Sequence, residues 1–129
     1  MTYLELKNHV EGLLLGDKKI PKHDLLVPLI KQGIEHIANE CTPLSLMTSD
    51  VEDDILIVLN VHGQFIRKPV LPVEDTDEID LDNSLLSALS NLVAFYISKN
   101  PTLEISANTY MCDYKWVLYR AMEANDYDV

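Results

Sequence analysis

The side chains best suited to proton transfer or metal binding near neutral pH are four histidines: His9, His23, His36 and His62. His36 has Glu40 four residues on, one helical turn away, but a single pair does not make a site that needs three or four convergent ligands. No other histidine has a carboxylate four residues on. Cys41 and Cys112 have no second cysteine at the short spacing of zinc or redox motifs, and they read as small buried hydrophobes. The serines lie in no Gly-x-Ser-x-Gly elbow. Four glycines (Gly12, Gly16, Gly33, Gly63) are too scattered for a loop that cradles phosphate. The acids Asp75-x-Asp77-x-Ile79 lack the central glycine and terminal glutamate of a calcium-binding loop. The expectation is a chain with no catalytic residue, no metal and no cofactor, and so not an enzyme.

The charge carries more information. Twenty-one acids against ten bases give a net charge of −11 over 129 residues. Ten of those acids and only two bases, Arg67 and Lys68, lie between Asp50 and Asp82. Such a surface repels nucleic-acid phosphates and disfavours direct binding to them. Asp53, Asp54, Glu74, Asp75, Asp77 and Glu78 define the candidate acidic surface. It is either a solvated face or a match for a basic partner. No apolar run approaches the ~20 residues of a membrane span, and the first residues do not have the pattern of a secretory signal. No membrane partner is expected.

The elements that must position these residues follow from periodicity. Thr2-x-x-Glu5 forms a capping box that opens a helix over about 3–15, with Leu6, Val10, Leu13 and Leu14 on one stripe and Gly16-Asp17 as its stop. Asp24 is a candidate N-cap for a second helix over about 24–40. Leu25, Leu26, Leu29, Ile30, Ile34, Ile37, Ala38 and Cys41 line its core face. Pro28 is tolerated there if it falls in the first turn. From 44 to 54 a connector places Leu44, Leu46 and Met47 on the core. A hairpin over about 55–68 joins Ile55–Val61 to Gln64–Lys68, with His62-Gly63 as a two-residue turn. A third helix over about 82–99 is capped by Asp80 or Asp82. Its stripe is Leu85, Leu86, Leu89, Leu92, Val93, Tyr96 and Ile97, and Asn100-Pro101 ends it. A fourth helix, over about 107–124, turns Tyr110, Met111, Tyr114, Val117, Leu118, Ala121 and Met122 inward, leaving a polar tail from Asn125.

The expected architecture is one mainly α domain over 1–129: a four-helix bundle-like fold, α+β in the loose sense, with one inserted β-hairpin. Two features point to contact surfaces. Two strands alone are marginal in water, so the hairpin needs a partner. Trp116 and Tyr119 also fall off the inward stripe of the last helix. Phe65, Ile66, Arg67, Lys68, Leu71, Trp116, Tyr119 and Tyr127 are therefore the candidate interface residues.

The whole layout resembles a known group. A short amphipathic helix beginning Tyr3-Leu4-Glu5-Leu6-Lys7 precedes a helix containing Ile30-x-x-Gly33-Ile34-x-x-Ile37-Ala38. A hairpin segment ending Ile66-Arg67-Lys68-Pro69 follows. A late helix then opens with Ile79-Asp80-Leu81-Asp82 and continues to Ala94-Phe95-Tyr96-Ile97, before a final helix carrying Tyr114. In this order the chain resembles the head-to-tail adaptor (neck, head-completion or connector) proteins of tailed phages. The resemblance implies a non-enzymatic virion subunit, assembled in the host cytoplasm, that docks on the portal and contacts other neck or tail subunits. It implies a homo-oligomeric ring, about twelve subunits by family habit, through which DNA passes without specific binding. Members often carry a longer C-terminal tail that inserts into the portal. Its shortness here shifts docking to the hairpin and the 69–80 segment. The alternative is an acidic DNA mimic, or another small inhibitor, that occupies the basic groove of a nucleic-acid enzyme.

Overall fold

Thr2 begins the first helix as its residue types require. Its hydroxyl accepts from the Glu5 amide and the Glu5 carboxylate accepts from the Thr2 amide, a complete capping box that opens α1 (Tyr3–Leu14). Leu15, at φ 51°, ends α1 in the left-handed region and Gly16 follows at φ 82°. The structure is a computed structural model that describes residues 1–16, 18–50, 52–59 and 63–127, the last six of these by backbone alone. Asp17 and His62, read above as turn residues, lie outside the described residues.

The second helix, α2 (His23–Cys41), starts one residue before the expected cap. Lys22 holds the N-cap position, and Asp24 sits inside the first turn, where its charge favours the helix dipole. Pro28 is the sixth residue of α2 and thus beyond the first turn. Both Pro28 and Asp24, whose carbonyl loses its N–H partner, lie on the exposed side, where water can satisfy that carbonyl. Leu26, Ile30, Ile34, Ile37, Ala38 and Cys41 are buried as the spacing predicted, whereas Leu25 is exposed.

The connector forms a 3-10 turn (Leu44–Leu46) and a short strand, β1 (Met47–Thr48). β1 pairs antiparallel with β3 (Phe65–Arg67), which also pairs with β2 (Ile55–Val58). The expected hairpin is present, but within a three-stranded antiparallel sheet ordered β1-β3-β2. Leu46 is buried as expected, while Leu44 is exposed. A bulge between Ile55 and Ile57 sets the register, so Val58 faces Phe65 and the Leu59 amide reaches the Gln64 carbonyl. Of the expected two-residue turn, His62-Gly63, only Gly63 is among the described residues. Gly63 at φ 72° supplies the left-handed residue that this turn needs.

The third helix, α3 (Leu86–Ser98), follows a 3-10 turn (Asn83–Leu85). It packs on α1, α2 and the final helix, α4 (Pro101–Tyr127), and is the hub of the fold. Leu86, Ala88, Leu89, Ser90, Asn91, Leu92, Val93 and Ala94 are all buried. Ser90 and Asn91 tolerate this because their side chains donate to the Leu86 and Ser87 carbonyls within the helix. Gly33 lets α2 approach α3 closely: a Cβ there would stand 2.8 Å from Leu89 Cδ1.

α4 begins at Pro101, six residues before the expected start. Asn100 Oδ1 accepts from the Thr102 amide, and proline at the first helical position loses no hydrogen bond. The pair Asn100-Pro101 thus starts α4 as well as stopping α3. At ~1.5 Å per residue α4 is about twice as long as α3, so its C-terminal half runs beyond the hub. Tyr114 and Leu118 still pack inward, but Tyr110 and Val117, expected in the core, are exposed. Among the described residues no helix is long and apolar enough to cross a membrane.

Candidate functional site

Most of the acidic segment is tied down within the chain. Arg67 and Asp80 form a bidentate ion pair, with Nη1–Oδ2 at 2.6 Å and Nη2–Oδ1 at 2.8 Å. The Val70 amide also donates to Asp80, at 2.8 Å. Burial raises the Asp80 carboxyl, but the Arg67 and Val70 hydrogen bonds, with the Arg67 charge, outweigh it and hold the group below the usual carboxylate range. Asp80 therefore clamps β3 to the 69–80 segment, while Asp82 has a different task. The Asp82 carboxylate caps the Leu44–Leu46 turn through the Leu44 and Ser45 amides and accepts from the Tyr114 hydroxyl at 2.9 Å. Neither acid caps α3 through its side chain.

The six acids of the predicted acidic surface divide the same way. Asp75 pairs with Lys7 at 2.6 Å, and Glu78 with the Met1 amino group at 2.9 Å. Asp77 accepts from the Val73 and Glu74 amides, which lower its pKa. Thr48 donates to Asp53 at 2.7 Å. Asp54 and Glu74 remain exposed, with no side-chain partner among the described residues. The segment also laces to the start of α1: Tyr3 donates to the Asp77 carbonyl and Ile79 to that of Met1.

The candidate interface residues are not brought together. Ile66 is fully buried beneath the sheet, so it is a core residue and not a contact residue. Alternation along β3 turns Ile66 inward and its neighbours outward. Phe65 and Leu71 are half-buried, Lys68 is exposed, and Arg67 is occupied by Asp80. Trp116 and Tyr119 are 60% and 59% exposed, and their rings stack with centroids 6.1 Å apart. The Arg120 guanidinium lies over Trp116 at 5.6 Å. The Tyr127 side chain lies outside the described residues.

Two concavities flank α4. The first is an apolar groove of about 360 Å³ between α4 and the Leu44–Leu46 turn, lined by Leu44, Tyr110, Tyr114, Val117, Leu118 and Ala121 among others. The second, about 570 Å³, lies between α2 and α4 over Leu92 and Tyr96, with His36, Glu40, Glu104 and Lys115 on its walls. Burial, and then the Glu104 charge, raises the Tyr96 pKa. Among the described residues no group of three His, Cys, Asp or Glu side chains converges to hold a metal ion. Sequence reasoning missed both concavities. Their walls come from separate elements, and the bounds expected from the sequence, 82–99 and 107–124, made the last two helices equal in length and so gave no signal of the overhang.

Cys41 is buried and donates to the Met111 carbonyl, and burial pushes its thiol up to about 11. Cys112 is exposed, contrary to the expected burial, and both thiols are free.

Comparison of the chain with protein-family models, characterised proteins and solved structures gives no match.

Proposed function

We propose that this chain is a structural assembly subunit: a head-to-tail adaptor of a tailed-phage neck that docks on the portal and extends the DNA channel. The observation that carries this reading is the apolar groove along α4 from Tyr110 to Ala121. Tyr110 (41% exposed), Val117 (66%) and Leu44 (52%) leave a contiguous apolar surface open beyond the hub helix. An amphipathic helix or extended arm from a portal or neck subunit fits such a groove. The order of elements, a helix pair, a sheet and a second helix pair, agrees with the layout on which the resemblance rests. A DNA mimic gains no comparable support. It needs carboxylates free to imitate phosphates, and Asp53, Asp75, Asp77, Glu78, Asp80 and Asp82 all have partners within the chain.

The test is co-expression with a portal protein from the same genome, followed by mass measurement and low-resolution imaging of the complex. A stable ring on the portal is expected, and Val117→Asp should abolish it while leaving the melting temperature of the isolated chain unchanged. A chain that ignores the portal and binds a nuclease or polymerase instead overturns the proposal.

A further inference from the structure

The side of α4 that borders the concavity toward α2 carries a charge pattern that complements itself. Glu104 and Lys115 are both exposed, and neither makes an ion pair among the described residues. They stand eleven residues apart, which is three turns plus about 20° at 3.6 residues per turn, so they share one side of the helix about 16 Å apart. Ile105 and Trp116, 65% and 60% exposed, repeat the same eleven-residue spacing one residue further round. Asn108 and Cys112, both exposed, lie between the two pairs. Glu104 and Lys115 flank the core face of α4, formed by Leu103, Ala107, Met111 and Tyr114, whereas Ile105 and Trp116 lie on the far side of the helix from it.

From this pattern we infer that α4 is an antiparallel, two-fold interface with a second copy of the chain. A two-fold contact sets residue i against j and j against i. With the axis passing near residue 110, Glu104 meets the partner's Lys115 and Lys115 meets the partner's Glu104. On the other flank, Ile105 and Trp116 exchange contacts in the same register. Antiparallel helices bring like flanks together, so the charged side faces the charged side and the apolar side the apolar side. A parallel two-fold pairing sets the charged flank against the partner's apolar flank, and leaves Glu104 and Lys115 without a partner of opposite charge. The charge pairs and the apolar pairs place the axis within one residue of each other. This contact uses the face away from the apolar groove and does not depend on the neck reading.

The test measures molar mass against concentration for the full chain and three variants, E104K, K115E and the double variant. The unaltered chain should reach twice the chain mass as concentration rises. Each single reversal opposes like charges at two symmetry-related places, and should weaken dimerisation by about tenfold or more. The double variant restores opposite charges in the same register and should return to within about threefold of the parent. Unchanged circular dichroism melting shows that the variants fold, and if one does not, weakening of the parent dimer by salt tests the same pairs. A chain that stays monomeric overturns the inference. So do single variants that dimerise like the parent, a double variant that is not rescued, or a parent dimer indifferent to salt.

Discussion

At the scale of single residues, the Arg67–Asp80 pair shows how an acidic stretch becomes structural. The Arg67 and Asp80 side chains are 26% and 20% exposed, and the carboxylate takes three hydrogen bonds from Arg67 and Val70. Removing one member strands the other, so Arg67→Ala is expected to cost about 1–3 kcal/mol, measured by urea unfolding at pH 7. The sign of the pH dependence follows from the lowered Asp80 pKa. Its stabilisation is fully present above the unfolded carboxyl value near ~3.9 and is lost as pH falls through the lower folded value. Asp80→Asn should be less stable than the parent at pH 7, yet lose less stability on acidification below about pH 4. Equal acid sensitivity in the two proteins would show that Asp80 is not the group being titrated. Tyr114 gives a second residue-scale expectation. Burial raises its pKa to about 12, so the hydroxyl keeps the proton that it donates to Asp82. Tyr114→Phe removes that bond while Leu44 keeps Asp82 as an acceptor, and a loss of about 1 kcal/mol in thermal unfolding is expected.

At the scale of elements, the hub position of α3 decides how the helices meet. The stretch from Asn83 to Ser98 contains no charged residue, and α3 accordingly buries almost its whole N-terminal circumference. The contact with α2 passes over Gly33, and two substitutions there separate space from propensity. In Gly33→Ala the new Cβ displaces only the end of Leu89, and the gain in helix propensity of about 1 kcal/mol offsets that shift. Its stability should stay within about 1 kcal/mol of the parent. Gly33→Leu has no such room and should lose about 3 kcal/mol by overpacking, read from the denaturant midpoint. If both variants melt with the parent, α2 and α3 do not meet at Gly33. The sheet is an element in the same sense, because the hairpin gains its third strand from the connector. β1 contributes only two residues, and no periodicity is detectable over so short a run.

At the scale of the molecule, the division between core and surface separates two aromatic residues that sequence reading grouped together. Trp116 is mostly exposed, so Trp116→Ala should leave monomer stability within about 0.5 kcal/mol while weakening self-association. Phe65 is half-buried on β3, opposite Thr48 and Val58, so Phe65→Ala should cost the monomer about 1–3 kcal/mol. Similar stability losses for the two would place Trp116 in the core after all.

The amino-acid sequence by itself determined much of this. Four helices, a hairpin between the second and third, and the buried stripes of α1 and α2 are local patterns, set by 3.6-residue periodicity, a capping box and alternating strand residues. Tertiary structure alone decided which acids are free. A carboxylate's partner can lie dozens of residues away, as Lys7 does from Asp75 or Tyr114 from Asp82. It also decided which side of α4 meets water. Tyr110 and Val117 lie beside Tyr114 and Leu118 on the helix, so periodicity assigns all four to the core. Burial requires a neighbour to cover them, and among the described residues no element covers Tyr110 or Val117.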